Sequence, residues 1–492
     1  MVITPTLLVG IIVIHFALLM GIAWLTSRNS DNSSFFVANR NAPWLLVAFG
    51  MIGTSISGVT FVSVPGAVGN PPEVANANFS YLQLVLGNLV GYFVVAAVLL
   101  PLYYKNNVVS IYQYLENRFG FYTYKSGAGM FIVSRVIGAA FRLYLMALVL
   151  QTFVLDSFGI PFEVTAILVP ALIWVYTFKG GTKTVLWTDT IQTVLFLSAL
   201  LFTLSDISNL LGKDSMSHFI GEIWDGPYAK VFHFDHGWSS PNYFLKQFLA
   251  GLLTVIAMVG LDQDLMQKNL TCKSLKDAQK NVFTFSAIIL LVNILFLTLG
   301  AALYIFAQNK GITLPSKSDQ VYPFLAFNHL STSIGIIFMI GIVACSYSAA
   351  DSALTSLTTS FCVDFLDFQK VEESPKKHKT RTLIHLGFTV LLALVIMIFH
   401  YLNSESIVNQ IFKIAGYTYG PLLGIFAYGI IFKGNVADRY MPYICIVAPI
   451  ITYIIDKNSV EWFGGFTLGF LNLALNALLT MLMIWIVSIW KK

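Results

Sequence analysis

Two stretches of this 492-residue chain decide its fold: GMIGTSISGVTFVSVPG at residues 50–66 and AGLLTVIAMVGLDQDLMQK at residues 250–268. Both belong to long apolar runs, and both carry glycines and polar residues that weaken a membrane helix. Irregular backbone at membrane depth is tolerated only where it is buried in protein or lines a cavity. We therefore expect both helices to unwind locally. The alternative is that the small residues only let neighbouring helices approach closely.

The composition is that of a membrane protein. Hydrophobic residues make up 57% of the chain and charged residues 11%, whereas about 25% of the residues in an average soluble domain are charged. This excludes a soluble enzyme, a nucleic-acid binder and a disordered scaffold. The four cysteines have no paired spacing, and the sequence contains no Walker loop, zinc motif or nucleophile elbow. We therefore expect neither an enzyme nor a bound cofactor.

The apolar runs are about 20 residues long and predict an all-α, multi-pass membrane protein with thirteen spans in one domain over residues 1–492. The predicted spans are residues 4–26, 44–66, 80–102, 128–154, 160–178, 185–205, 243–266, 282–307, 332–361, 383–401, 408–432, 439–456 and 462–489. Twenty of the 29 Lys and Arg residues then fall in loops on one side of the membrane and six on the other. Because cytoplasmic loops retain basic residues, we expect the N-terminus outside and the C-terminus inside.

The two interrupted stretches lie in the second and the seventh predicted spans. An offset of five spans gives the two units opposite orientations in the membrane, as an inverted repeat requires. Paired interruptions of this kind indicate a binding site near the middle of the membrane.

The ninth predicted span carries a polar stripe, because its hydroxyl and carboxylate residues recur at helical spacing. The stripe consists of Ser348, Asp351, Ser352, Thr355 and Thr359. Its oxygens are the ligands that a hard cation such as Na⁺ takes, by analogy with calcium and magnesium. The alternative is a row of hydrogen bonds between helices, but a carboxylate near mid-span favours the ion site.

Two arginines lie inside the fourth predicted span, where an unpaired charge is costly. Arg135 and Arg142 are seven residues apart and share one helix face. Arg142, near the centre of the membrane, either binds an anionic substrate or forms a structural ion pair with Asp351 or another buried acid. The shallower Arg135 is predicted to be structural or to extend its side chain toward the membrane surface.

Four further residues have two interpretations each. Gln83 in the third span either binds substrate or bridges helices. Tyr417 and Tyr419 flank the stretch GYTYGPLLG in the eleventh span, which is either a gate or a site of aromatic packing. Asp189 begins the sixth span. It is either a functional carboxylate or an ordinary carboxylate at the membrane interface, and composition alone does not decide between the two.

The segment GGTKTVLWTDTIQ at residues 180–192 resembles the Gly-Gly-x-Lys/Arg-x-Val-x-Trp-Thr-Asp-x-x-Gln motif of the sodium/solute symporter family. GLDQDLMQK at 260–268 and GPLLG at 420–424 also fit, and the resemblance spans essentially the whole chain. It implies a LeuT-type fold with a first repeat at about 44–205 and an inverted second repeat at about 243–432. The extra helices would then lie at about 4–26 and 439–489.

By motif position, the resemblance implies a main sodium site built from the backbone carbonyls of Gly53, Ile56 and Cys345 and the side chains at positions 348 and 349. Ser348 fits this pattern. Ala349 departs from it, because the family usually has a second Ser or Thr there. The site therefore lacks one hydroxyl ligand.

A second sodium site, found in some members, would fall on Asp189, Ser348, Asp351 and Ser352. Position 351 is Ser in other members. Asp351 therefore either supplies the missing oxygen, shifts the ion toward Asp189 or adds proton coupling.

The resemblance also implies substrate contacts at or near Ser57, Thr60, Gln83 and Arg142. Members that bind carboxylates resemble this set, so we expect a sodium-coupled symporter of the plasma (inner) membrane that imports a small anionic carboxylate by alternating access. Na⁺, the substrate and the lipid bilayer are the expected partners, with no nucleic acid. A neutral sugar or polyol is the alternative substrate. A channel is the alternative from another class, although the sequence shows no repeated filter loop.

Overall fold

The computed structural model describes residues 4–28, 32–235, 237–402, 407–434 and 436–489. In these ranges the chain is helical, without a β-strand; one isolated bridge joins Ala42 and Cys272. The apolar helices are α1 (Pro5–Thr26), α2 (Trp44–Ser55 and Gly58–Ala67), α3 (Tyr81–Lys105), α4 (Phe121–Phe158), α5 (Phe162–Thr177), α6 (Gly181–Leu210), α7 (Phe244–Gly260 and Gln263–Asn269), α8 (Leu275–Lys310), α9 (Thr332–Phe365), α10 (Pro375–Leu402), α11 (Ile407–Ile431), α12 (Met441–Trp462) and α13 (Asn472–Ile489). Shorter helices in the connections are Asn32–Val37, Gln113–Arg118, Met216–Trp224 and Val321–Asn328.

The predicted all-α membrane fold is confirmed, but the count of thirteen spans is not. Among the described residues, ten helices are long and apolar enough to cross a membrane, and two bent helices raise this number to twelve. Helix α5 is apolar but has only 16 residues. The predicted boundary between the last two spans is also wrong, since α12 continues to Trp462 and α13 begins at Asn472.

The two predicted interruptions are confirmed as bends in α2 and α7. In α2 the backbone is extended at Ile56 and Ser57, and the two helical segments meet at 60°. In α7 the helix ends at Gly260 and resumes after Asp262, with a bend of 68°. The Asp262 side chain accepts a hydrogen bond from the Asp264 amide at 2.8 Å and so caps the second segment.

Close packing of small residues occurs beside these bends. Helix α3 crosses the first segment of α7 where Gly87 faces the Phe248 carbonyl and Gly251 faces the Leu84 carbonyl. A Cβ at either glycine would collide with the facing backbone. The glycines of the seventh span thus support both interpretations of the sequence, with Gly251 at a helix contact and Gly260 at the bend.

Helix α9 lies between the two bent helices and positions the site. It packs along α6, and it contacts both segments of α2 and the second segment of α7. The described part of α11 continues as a helix through GYTYGPLLG and packs against α13. Polar residues of α9 consequently face the bends of α2 and α7.

Candidate functional site

The bend of α2 meets α6 and α9 at a buried cluster of oxygen atoms. The carboxylate of Asp189 accepts hydrogen bonds from Ser348 at 2.6 Å and from Thr54 at 3.2 Å. Gly53 packs so closely here that a Cβ would lie 2.8 Å from Thr193 Oγ1 and would overlap Ser348 Oγ. The structure therefore brings together three residues of the predicted sodium sites, one from each of these helices.

The extended backbone at the α2 bend leaves carbonyl oxygens available beside this cluster. The bend interrupts the i to i+4 hydrogen-bond pattern, so carbonyl groups before it lose their usual amide partners. Ile56 and Cys345 are both buried, and Gly58, two residues after Ile56, abuts the Ser346 hydroxyl beside Cys345. Ala349 is also buried and contributes no side-chain oxygen.

Lys268 is a member of this cluster that the sequence interpretation missed. Its ammonium donates to the Asp189 carboxylate and the Thr54 hydroxyl, and it lies 3.3 Å from the Gly50 carbonyl oxygen. The lysine is 1% exposed. The predicted seventh span ends at residue 266 and so places Lys268 among the 20 basic residues of the cytoplasmic loops, which is wrong because the second segment of α7 carries it into the protein.

Asp351 lies one turn from Ser348 but has different partners. One carboxylate oxygen accepts hydrogen bonds from Tyr176 at 2.8 Å and from Thr188 at 3.4 Å. The other oxygen is buried without a hydrogen-bond partner among the described residues. The proposed ion pair between Asp351 and Arg142 is not present.

Part of the polar stripe of α9 makes hydrogen bonds to other helices, which is the alternative interpretation of the stripe. Ser348 and Ser352 donate to carboxylates on other helices, namely Asp189 and Asp264. Thr355 instead bonds the backbone carbonyl of Asp351, and Thr359 that of Thr355. Ser352 therefore contacts α7 rather than Asp189, which separates it from the rest of the predicted second sodium site.

Arg135 is the centre of a second buried network at the bend of α7. It forms ion pairs with Asp264 and, at 3.8 Å, with Asp262. Tyr419 of α11 donates to Asp262. The structural interpretation of Arg135 is confirmed, and extension toward the membrane surface is wrong because the side chain is buried and pairs with two carboxylates inside the protein.

Arg142 faces a cavity of about 130 Å³ between α2, α3, α4 and α7. The polar residues that line this cavity are Ser55, Ser57, Thr60, Tyr81, Asn88, Tyr92, Arg142 and Thr254. None of the described carboxylates forms an ion pair with Arg142, and the nearby Asp262 and Asp264 pair with Arg135 instead. A larger cavity of about 210 Å³ lies between α4 and residues 315–324. The cavity at Arg142 is the better candidate because the α2 bend opens into it.

Gln83 does not line this cavity, which corrects its assignment to the substrate site. Its amide nitrogen donates to the Asn242 carbonyl at 2.9 Å, and its amide oxygen accepts from the His233 amide at 3.1 Å. The side chain is therefore occupied in holding the connection before α7. Asn88, which lies about one and a half turns along α3, occupies the cavity wall instead.

The two tyrosines of α11 point in different directions. Tyr419 reaches Asp262 and lines a small cavity that adjoins Arg142. Tyr417 donates to Asp456 and packs edge-on against Tyr453 of α12. Only Tyr419 lies beside the site, whereas Tyr417 follows the packing interpretation.

A sequence signal for the missed residues was present. Asp262 and Asp264 are carboxylates within an apolar run, and such residues are functional candidates by position alone. Lys268 ends the same stretch, only four residues after Asp264. All three belong to the stretch GLDQDLMQK at residues 260–268, which resembles the family motif.

Comparisons with known proteins extend over most of the chain. The sodium:solute symporter family profile matches residues 35–436. The chain is 24% identical to the sodium/sialic acid symporter NanT of Aliivibrio fischeri over 452 residues, or 89% of this chain and 85% of that protein. It is 25% identical to the sodium-coupled monocarboxylate transporter 2 of Homo sapiens over 414 residues, or 82% of this chain and 64% of that protein.

A solved structure of a Na⁺-coupled sialic acid symporter, in a substrate-bound outward-open state, has the same fold. It superposes with a TM-score of 0.80 at 20% sequence identity and covers 98% of both chains. The fold is thus shared over the full length, and the family profile covers most of the sequence. The chain belongs to the sodium:solute symporter family.

Proposed function

We propose that this protein is a sodium-coupled symporter that imports a small carboxylate anion by alternating access. Family membership supports secondary transport rather than enzyme chemistry. The two relatives described above are named for sialic acid and for monocarboxylates, both of which are carboxylate solutes. The single observation that carries the choice of an anion is Arg142, a guanidinium at the cavity without a described carboxylate partner.

The substrate carboxylate would pair with Arg142, because the planar guanidinium fork matches the two carboxylate oxygens. The hydroxyls of Ser57 and Thr60 and the amide of Asn88 would bond the remainder of the solute. Pairing with the substrate would lower the cost of keeping a charged arginine in the membrane interior. A neutral sugar or polyol would use the hydroxyls equally well but would leave Arg142 without a counter-charge.

The coupling Na⁺ would bind at the α2 bend. We assign its ligands to the carbonyls of Gly53, Ile56 and Cys345 and to the Ser348 hydroxyl. Asp351 would supply negative charge nearby, and the Asp189 carboxylate would orient the Ser348 hydroxyl through its hydrogen bond. Support comes from the contact between Gly53 and Ser348 across the α2–α9 interface and from the interrupted backbone at Ile56. Ser352 is left out of this set because it bonds Asp264.

Na⁺ bound between α2 and α9 would favour the state in which these helices are close together. An ion shifts a conformational equilibrium only when its affinity differs between the two states. Tyr419, which joins α11 to the α7 bend, would take part in closing the cavity. We further propose inverted repeats at about 44–205 and 243–432, in the plasma (inner) membrane, with the N-terminus outside.

The test is thermal stability of the purified protein in Na⁺ and in K⁺, with panels of carboxylates, sugars and polyols. A ligand stabilises the state that it binds. Stabilisation by a carboxylate that appears only in Na⁺ would support the proposal. Stabilisation by a neutral solute would keep sodium symport and reject the anion. Sodium-independent, non-saturating flux in proteoliposomes would instead favour a channel.

A further inference from the structure

Lys268 places a fixed positive charge inside the oxygen cluster at Asp189. Its ammonium contacts a carboxylate, a hydroxyl and a carbonyl oxygen, contributed by Asp189, Thr54 and Gly50. These are the same classes of oxygen that a hard cation takes as ligands. Lys268 and Asp189 are 1% and 0% exposed, so water does not screen the contact.

The contact uses the carboxylate oxygens that a second Na⁺ would need. One oxygen of Asp189 accepts from Lys268 and Thr54, and the other accepts from Ser348 at 2.6 Å. A second cation on this carboxylate would have to displace the ammonium or sit beside it. Like charges repel strongly in a medium of low dielectric constant. The negative charge of Asp189 is therefore already neutralised by Lys268 of the same chain.

Asp351 is left as the carboxylate that can balance a bound ion. It shares the α6–α9 interface with Asp189, through its bond from Thr188. None of the described lysines or arginines forms an ion pair with it, and one of its oxygens is buried without a described hydrogen-bond partner. The interface thus holds two negative carboxylates and one positive ammonium. The remaining net charge of −1 balances a single Na⁺.

We propose that Lys268 is a built-in cation that takes the place of a second sodium ion at Asp189, so that this chain binds one Na⁺ per protein. The inference rests on the proposed function, because it specifies the ion stoichiometry of the same site. Lys268 is a positioning residue in this scheme, since it acts on the ion through Asp189. Symport of one Na⁺ with one monoanion moves no net charge across the membrane.

The experiment measures binding of radioactive sodium to the purified full-length protein in detergent, without substrate. We expect the wild type to bind one ion and Lys268→Gln to bind two, because removal of the ammonium leaves the Asp189 carboxylate free. Lys268→Arg is the matched control, since it keeps the charge and should still bind one ion. The double variant Lys268→Gln/Asp189→Asn should return to one ion.

Each outcome decides between the two proposals. No binding by the wild type would overturn the proposed sodium symport itself. Two ions on the wild type would leave symport intact and overturn the role of Lys268. One ion on both the wild type and Lys268→Gln would assign the lysine to structure alone and would also overturn the inference. If Lys268→Gln does not fold, the wild-type stoichiometry and the double variant still test it.

Discussion

Arg135 and Arg142 lie two turns apart on α4, yet only Arg135 is neutralised by the protein. Arg135 contacts Asp264 and lies 3.8 Å from Asp262, whereas Arg142 lines the cavity and has no described ion pair. The difference arises at the α7 bend, where the backbone turns both carboxylates toward Arg135. It separates a structural arginine from a candidate substrate ligand.

Replacement of Arg142 should weaken substrate binding without unfolding the protein. A hydrogen bond to a charged group is worth about 1.5–3 kcal/mol, so Arg142→Gln should lower carboxylate affinity about ten- to hundredfold. Arg142→Lys should recover part of the affinity, since it keeps the charge and loses the planar fork. Thermal shifts with the best carboxylate measure this. Unchanged affinity together with lower stability would favour a neutral substrate.

Replacement of Arg135 should lower the stability of the folded protein, in contrast to replacement of Arg142. Arg135→Gln leaves Asp262 and Asp264 buried without their cation, and removal of one partner of a buried pair costs about 3–5 kcal/mol. We expect a large drop in unfolding temperature. The double variant Arg135→Gln/Asp264→Asn should recover part of it, because one orphaned charge is gone. A double variant no more stable than Arg135→Gln would argue against the ion pair as the cause.

A side chain at Gly53 should block the sodium site. A Cβ there would lie 2.8 Å from Thr193 Oγ1, 3.0 Å from the Asp189 carbonyl and within overlap distance of Ser348 Oγ. Gly53→Ala should therefore reduce sodium-dependent thermal stabilisation severely. Gly387→Ala in α10 is the control, since its Cβ would meet no atom within 4 Å. Equal responses to Na⁺ in the two variants would contradict the assignment of Gly53.

Asp351 should contribute charge to sodium binding. Asp351→Asn keeps the shape of the side chain but removes the charge, and we expect apparent Na⁺ affinity to fall about tenfold, equivalent to about 1.4 kcal/mol. Tyr176→Phe removes only the hydrogen bond of 2.8 Å to this carboxylate, so its effect should be smaller. A sodium titration of thermal stability measures both. If Asp351→Asn left the apparent Na⁺ affinity unchanged, Asp351 would have a role in helix packing only.

The parts of the fold predicted correctly follow from properties local to the sequence. Glycines and polar residues within apolar runs mark the bends of α2 and α7, and the depth of Arg142 in its span marks it as a residue that needs a partner. The motif at residues 180–192 also indicated Asp189, which lies in the buried oxygen cluster at the α2 bend. These features need only the order of residues along one helix.

The errors concern which helix each side chain meets. Lys268 and Asp189 are 79 positions apart, and Gln83 and Asn242 are 159 apart. Such contacts depend on how the helices are rotated and where they cross. Close glycine contacts, such as those of Gly87 and Gly251 between α3 and α7, help to determine these crossings. Hydropathy also predicts a loop at Lys268, because this lysine lies just after the end of an apolar run. The short second segment of α7 turns it inward.

Asp262 has a consequence for the speed of transport. It caps the second segment of α7, accepts a bond from Tyr419 of α11 and lies beside Arg135 of α4. This segment therefore cannot swing alone without breaking charged contacts in a medium of low dielectric constant. It should travel with α4 and α11 as a rigid block, so that the protein dwells in discrete states separated by a barrier. Turnover would then be set by the lifetime of these few bonds.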